Sequence, residues 1–527
     1  MSVNDVSYSK SNVQTESQPP ERFDVVVYGG TAGGVITAIT AAREGLSVAL
    51  LEPGMHLGGM VTGGLSATDH GEKEAVGGYA REFYERLGHH YGREIEWYPE
   101  PHAAERIFGD MLQEAKMVTV FHQHRLKEKD GVNKEGNHLT EIRMETGSVF
   151  RAPIFVDASY EGDLMAQAGV SYTFGREGVA QYGESLAGVR PKDPNHQFDF
   201  PIPAYDEHRQ LLPEIQPGPR GELGVGDRKV QAYNFRMILT MDRKNLVPFP
   251  QPPAYNAKRY ELFARFLNEF VKQVGHPPRL DEILLPREIA NHKWDFNNRG
   301  PCSTDYIGGS WDYPEANAKR RREIWDDHVN YTKGLFYFLT HDPRVPKPLQ
   351  DELNEFGLAK DEFLDNNNWP YQLYVREARR MVGDFVMTQK DIQTEFTKSD
   401  AIGLGSYNSD SHNVQRYITE QGYAQNEGNM EVPVKPYQIP YRLLLPKKSQ
   451  ATNLLVTVCF SASHVTYSTL RMEPVYMIIG QAAGVAAKMA IEQKVPVQEI
   501  DPAGLSTRLR DQKAVLEWKQ PETKTEP

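Results

Sequence analysis

The sequence predicts an α/β protein in which a parallel-sheet domain is discontinuous and carries an inserted α+β domain. Three observations predict it. Phe23–Tyr28 is a short apolar run, Gly29-Gly-Thr-Ala-Gly-Gly34 is a tight glycine turn, and Val35–Arg43 is a small-residue helix ended by Gly45. Leu46–Leu51 is a second apolar run that closes on Glu52. Near the other end of the 527 residues, Asn453–Cys459 is a third buried-strand pattern, followed by a second small-residue helix. Strand, glycine turn, helix and strand tipped by an acid form a Rossmann-type unit for a dinucleotide.

Each element has a chemical reason. Gly29, Gly30, Gly33 and Gly34 let backbone N–H groups approach a pyrophosphate, which sits at the positive end of the helix that Ala32 enters. Glu52, 18 residues beyond Gly34, accepts hydrogen bonds from ribose hydroxyls and repels a 2′-phosphate. One position departs from G-x-G-x-x-G: Thr31 stands where the middle glycine is expected.

The next segments specify the dinucleotide. Pro53 to Gly64 adds a second glycine cluster, with Gly58, Gly59 and Met60 at its centre. Phe155–Asp163 contributes Asp157, Ala158, Ser159, Gly162 and Asp163 after a predicted hairpin. Phe460–Pro474 leads into a helix containing Gly480, with Arg471 and Met472 at its entrance. These segments resemble, in order, the Gly-Gly motif, the third cofactor contact and the last strand-to-helix passage of FAD enzymes in the glutathione-reductase superfamily. Gly77–Tyr84, Gln231–Arg236, Tyr374–Met381 and Asp410–His412 add a resemblance, over about residues 22–500, to the FAD-dependent oxidoreductase family within it. The resemblance implies bound FAD, with a helix N-terminus directed at the flavin, where partial positive charge favours the reduced ring.

Composition narrows the setting. Hydrophobic residues make up 39% and net charge is −12, with mean hydropathy −0.57 and pI about 5.8. The acidic balance argues against a nucleic-acid partner. No apolar run of about 18 residues is read as a membrane span, and residues 1–20 lack the apolar core of a signal peptide. Cys302 and Cys459 are the only cysteines and have no metal-site spacing, so a reducing, cytoplasmic location is expected. No metal constellation stands out, and the His89-His90 pair reads as solvent-exposed.

The expected organisation is a disordered tail (1–21), a first FAD-domain segment (22–190), an inserted substrate domain (191–400), a second FAD-domain segment (401–512) and a C-terminal tail (513–527). Seven prolines between 191 and 219 mark the first boundary. Within the insert, Val230–Thr240 alternates like a strand, helices are expected at about 256–273, 315–340, 347–356 and 371–382, and Asn291–Asn298 reads as a polar loop. No second glycine-turn unit is present; Gly403-Leu-Gly405 lacks a following helix. A bound small molecule is therefore expected to exchange electrons directly with the flavin, the other electron partner being unspecified.

Oxidation of an alcohol by a flavin needs a base, and His suits it near neutral pH. His464 and His412 are the candidates, with Tyr374 the next; which histidine acts stays open. Arg376, Tyr467, Lys293 and Asn297 are the expected substrate contacts. Arg471 has three readings: a substrate carboxylate, the flavin oxygens, or a pair with Glu473. Arg376–Arg380 is expected on a solvated helix face. The leading expectation is a dehydrogenase or oxidase acting on a CH–OH group of a polar, carbohydrate-like molecule. The alternatives are a flavin-dependent C=C reductase or hydroxylase, and a flavin-binding protein without turnover.

Overall fold

The computed structural model describes residues 20–519. β1 (Val25–Tyr28) leads through the glycine turn to α1 (Ala32–Arg43), and β2 (Val48–Leu51) follows. A four-residue helix, α2 (Met60–Gly63), carries the second glycine cluster; β3 (Val118–Phe121), β4 (Ile154–Asp157) and α3 (Asp163–Gln167) complete the first segment. Next in the chain come β5 (Met237–Thr240), β6 (Leu246–Val247), β7 (Leu284–Ile289), β8 (Lys293–Asn298), the long helix α4 (Ala318–His341) and β9 (Gly357–Ala359). The last segment holds β10 (Leu454–Val456), α5 (His464–Leu470) and α6 (Glu473–Gln493).

Two five-stranded sheets organise these elements. The first is parallel, in the order β10-β4-β1-β2-β3. Every residue of β1, β2, β4 and β10 is buried, as expected for strands covered on both faces. Because β10 pairs with β4, the sheet is built from both ends of the chain. The second sheet, β6-β9-β5-β8-β7, is antiparallel and lies wholly between the two halves in sequence.

α1 and α6 cross over the first sheet at small residues. A Cβ on Gly480 would fall 2.2 Å from the Gly33 carbonyl oxygen, and one on Gly484 would fall 2.5 Å from Thr40 Cβ. The glycines set the interhelical distance. α6 has the length and hydropathy of a membrane span, but 89% of its apolar window is buried inside the fold. The expectation that no run is that long is thus corrected: α6 is a core helix.

Other local expectations change too. Residues 371–382 are not helical; they are irregular, ending in a two-residue strand at Arg380–Met381. Their arginines are buried in ion pairs, and that tertiary demand overrides helix propensity. Asn291 and His292 adopt positive φ in the short turn just before β8, so the expected loop at 291–298 is mostly strand. The strand at 230–240 shortens to β5, and α5 precedes the expected terminal helix. Gly403 and Gly405 lie in the strand Ala401–Gly405, paired with Tyr437–Pro440. At the ends, Glu21 pairs in a strand with Phe150 and Leu516 is buried, so the fold extends into both expected tails; residues 1–19 and 520–527 lie outside the described residues.

Candidate active site

β1 delivers the chain into Gly29, whose φ of +105° suits glycine and whose Cβ would sit 2.7 Å from the Ala158 backbone. Thr31 explains its own departure from the fingerprint. Its hydroxyl donates to Ala158 O (2.8 Å) and accepts from Gly34 N–H (3.1 Å), so it caps α1 and ties the first motif to the third. The second motif joins through Gly58 N–H to Gly30 O at 2.7 Å. Glu52 accepts from Gly30 N–H (2.9 Å) and Gly54 N–H (2.5 Å); burial outweighs both bonds and pushes its carboxyl up to about 7. Gly29, Thr31, Glu52, Pro53, Gly59 and Ser159 share the wall of one cleft of about 280 Å³.

The second motif and the last strand-to-helix passage meet at Tyr160, which lies inside the third motif. Its hydroxyl accepts from Met60 N–H (2.9 Å) and donates to Glu473 Oε1 (2.7 Å), while Glu473 Oε2 and Tyr84 Oη are buried without a partner among the described residues. Burial pushes Glu473 up to about 8. A glycine-rich backbone cradle, the N-terminus of α1 and an acid at the tip of β2 fit FAD.

Not every predicted cofactor residue faces that cleft. Ala32, Gly33 and Gly34 lie in the first turn of α1, where Gly33 abuts Tyr476 O and Gly34 abuts Gly29 O, so the last two serve packing. Gly480 is likewise a crossing point against α1, a correction forced by its distance along α6 from the helix start. Asp157 is fully buried and holds the turn, accepting from Ser159 N–H and Met165 N–H. Gly162, at φ +70°, precedes α3. Asp163 lines the cleft, but its carboxylate is taken by Arg321 and Arg379. Met472 is the buried N-cap of α6.

A second polar cluster gathers the remaining family-specific segments. His464 Nδ1 lies 2.8 Å from Glu377 Oε2, and His412 Nδ1 lies 2.6 Å from Asp305 Oδ2. Gln231 bridges the two: its Nε2 donates to Glu377 Oε2 (3.0 Å) and its Oε1 accepts from His412 N–H (3.0 Å). Arg376 donates to Asp305 (2.9 Å) and to Ala232 O. Arg471 donates to Tyr374 Oη (2.8 Å) and pairs with Asp410 (3.1 Å), so its pairing with Glu473 is excluded. Asp410 also stands 3.8 Å from His412 Nε2.

The electrostatics separate the two histidine dyads. Burial works to raise Asp305, yet the Arg376 guanidinium holds it well below the usual carboxylate range. Burial and Arg376 both lower His412, which keeps the ring neutral near pH 7. Burial opposes ionisation of Glu377 as well, but His464 and Arg380 hold it at about 2. With its proton on Nδ1, the His412 ring leaves Nε2 as an acceptor, and neither histidine's Nε2 has a hydrogen-bond partner among the described residues. The His412 side chain is 12% exposed and that of His464 4%.

Asn297 reaches the edge of this cluster, accepting from Asn234 Nδ2 at 3.4 Å. Lys293 does not. Its ammonium is enclosed by Glu100 (2.6 Å), Glu362 (2.7 Å) and Asp361 (2.8 Å), and that ion cluster, not substrate binding, accounts for it. Glu100, His102 and Glu362 form a group with metal-ligand spacing, but the Lys293 cation is already seated between the two glutamates. Tyr467 is also displaced from its expected role: its hydroxyl is bonded to Tyr476 Oη (2.9 Å) and its ring packs on Phe460. His89 and His90 are exposed as expected.

Gln231, Asp305, Glu377, Asp410 and Glu177, which accepts from His464 N–H (2.9 Å) and pairs with Arg380 (2.6 Å), escaped sequence reasoning as site residues. Three of them lie inside the segments that carry the family resemblance, which is the signal that pointed to them. Asp305 and Glu177 sit in loops without any such pattern.

The cleft defines a dinucleotide-binding protein. The profile of the family FAD dependent oxidoreductase matches residues 24–509, and the chain belongs to that family. It is an enzyme of the FAD-dependent oxidoreductase type, with FAD as cofactor. Solved structures to which it is similar include L-proline dehydrogenase from P. horikoshii, with 15% identity, 30% of this chain and 59% of that chain covered, and a TM-score of 0.24. T. acidophilum thioredoxin reductase gives 20% identity, 26% and 35% coverage, and a TM-score of 0.17. Flavin-containing monooxygenase from Stenotrophomonas maltophilia gives 18%, 31% and 44%, and 0.20. In each case the match spans less than two thirds of the solved chain. No curated protein matches this one.

Proposed function

We propose that this enzyme oxidises a CH–OH group of a polar, hydroxyl-rich small molecule and that His412 is its base. The observation that carries the reading is the His412–Asp305 dyad, with Arg376 behind it and an unbonded Nε2 in front. Bound FAD supplies the two-electron acceptor for the hydride leaving carbon. His412 takes the hydroxyl proton at Nε2, while Asp305 orients the ring through Nδ1 and carries the charge that favours the imidazolium.

The surroundings support a hydroxyl-bearing substrate over an apolar one. Asn234 Oδ1 and Arg376 Nε are buried without partners among the described residues. One is an acceptor and the other a donor, the two roles a hydroxyl group offers. Such directional groups reject analogues lacking the hydroxyl, because the protein atoms would stay unpaired. Arg471 and Tyr374 supply further donors at the same cluster.

A panel of sugars, polyols and hydroxy acids, tested anaerobically with the yellow enzyme, checks this. Bleaching of the flavin by one of these classes, with turnover through an artificial electron acceptor, is the expected result. Bleaching only by NAD(P)H, or only by amines, would overturn the substrate class while leaving the cofactor in place.

A further inference from the structure

The cofactor cleft has a second wall that does not come from the nucleotide-binding motifs. Ala318, Arg321, Arg322 and Trp325 line it. Their spacing of three, one and three residues is one face of a helix, the N-terminal half of α4. That helix belongs to the segment between the two halves of the parallel sheet.

Three features direct this face at an anionic, aromatic ligand. Arg321 clamps α4 to the third cofactor motif through a bidentate pair with Asp163, at 2.6 and 3.0 Å, which fixes the face at the cleft. Arg322, one residue on, has only Asp326 as partner among the described residues (3.0 Å), and its side chain is 73% exposed, leaving its charge free to swing inward. Trp325 is half-buried, with its ring edge-on to Phe235 at 5.6 Å, and presents apolar surface to the cleft. The positive end of α4 lies at the same place, with Asn317 capping Arg320 N–H (2.8 Å).

We propose that this face of α4 holds the FAD itself, Arg322 by its charge on the pyrophosphate and Trp325 by contact with a ring of the cofactor. The insert then does more than form a substrate chamber: it closes the dinucleotide site from the side opposite Gly29, Thr31 and Glu52. Cofactor retention therefore depends on a helix outside the Rossmann-type unit.

The test measures the rate at which full-length holoprotein loses FAD on dilution, followed by the fluorescence of released flavin. Arg322→Ala should lose FAD about two- to fivefold faster at low salt, the scale of one exposed ion pair, with a weaker response to added salt than wild type. Trp325→Ala should lose it about five- to a hundredfold faster, the scale of one ring–aromatic contact. Lys319→Ala, off the cleft face of the same helix, should match wild type. Glu52→Ala serves as the reference for damage on the other wall. If Glu52→Ala sheds FAD while Arg322→Ala and Trp325→Ala both retain it like wild type, the proposal fails and the motif-built site stands. Should Trp325→Ala misfold by circular dichroism, the solvent-exposed Arg322→Ala decides alone. Wild-type protein that holds no FAD would overturn the cofactor site as a whole.

Discussion

The side-chain amide of Gln231 donates to Glu377 Oε2 across 3.0 Å, and that bond makes one network of two histidine dyads. Glu377 also accepts from Arg380 and faces His464, while the other end of Gln231 holds the His412 backbone. A single fully buried glutamine thus fixes the relative placement of both rings.

His412→Ala should lower turnover by about 10²–10⁴ while the protein stays yellow. His464→Ala should instead cost stability, since it leaves Glu377 and its arginine partner short of a bond in a buried setting. Rates with the identified substrate, alongside Tm, check the pair of outcomes. A His464→Ala protein of normal Tm but with the larger rate loss would reverse the assignment. Because His412 is lowered by burial and Arg376, the wild-type rate should decline only below the ordinary histidine range.

Glu377→Ala should destabilise the fold by about 3–5 kcal/mol, the usual cost of removing one partner from a buried ion pair. The acid side carries a signature of its own. Glu377 is held at about 2 against an ordinary 4.5, so its contribution is complete above pH 4.5 and fades as pH falls toward 2. In Glu377→Gln that share of the acid loss should vanish in denaturation curves taken between those limits.

Glu473 has the opposite sign. Its carboxyl is raised from 4.5 to about 8 by burial. The folded state therefore holds the proton more tightly, and stability from this group is full below pH 4.5 and lost as pH climbs through 8. Glu473→Gln should flatten the decline in Tm across that window, because the amide has no proton to release. A variant as alkali-sensitive as wild type would mean that Glu473 is not the group responsible.

Gly480→Val should lower stability by about 1–3 kcal/mol or more through overpacking, since its Cβ would meet a backbone oxygen of α1 at 2.2 Å. Thermal unfolding reads this directly, and a neutral result would mean that α1 and α6 can move apart.

Residues whose role is set by local pattern are legible in the sequence. Gly29, Glu52 and the β1-α1-β2 unit follow from strand, turn and helix signals within 30 residues, and the two halves of the sheet follow from a buried-strand pattern near each end. Thr31 is visible as a departure, but its explanation needs Ala158, 127 residues away. The polar cluster is legible only as scattered segments. Arg376 to Arg380 look like a solvated helix because nothing nearby in sequence announces Asp305, Asp163 or Glu177 as partners for buried guanidinium groups. Lys293 reads as free for the same reason: its three carboxylates come from positions 100, 361 and 362.

The pairing of β10 with β4 has a consequence for how the protein is made. Asp157 ends β4, and its neighbour begins at Leu454, 297 residues later (454 − 157). At a synthesis rate of about 5–20 residues per second, that separation is roughly 15–60 s on the ribosome. Throughout that interval the nascent chain carries a mainly apolar strand with one edge unpaired, a template for pairing with other chains. Production of this enzyme should therefore depend on chaperone capacity and on low growth temperature far more than its finished structure would suggest.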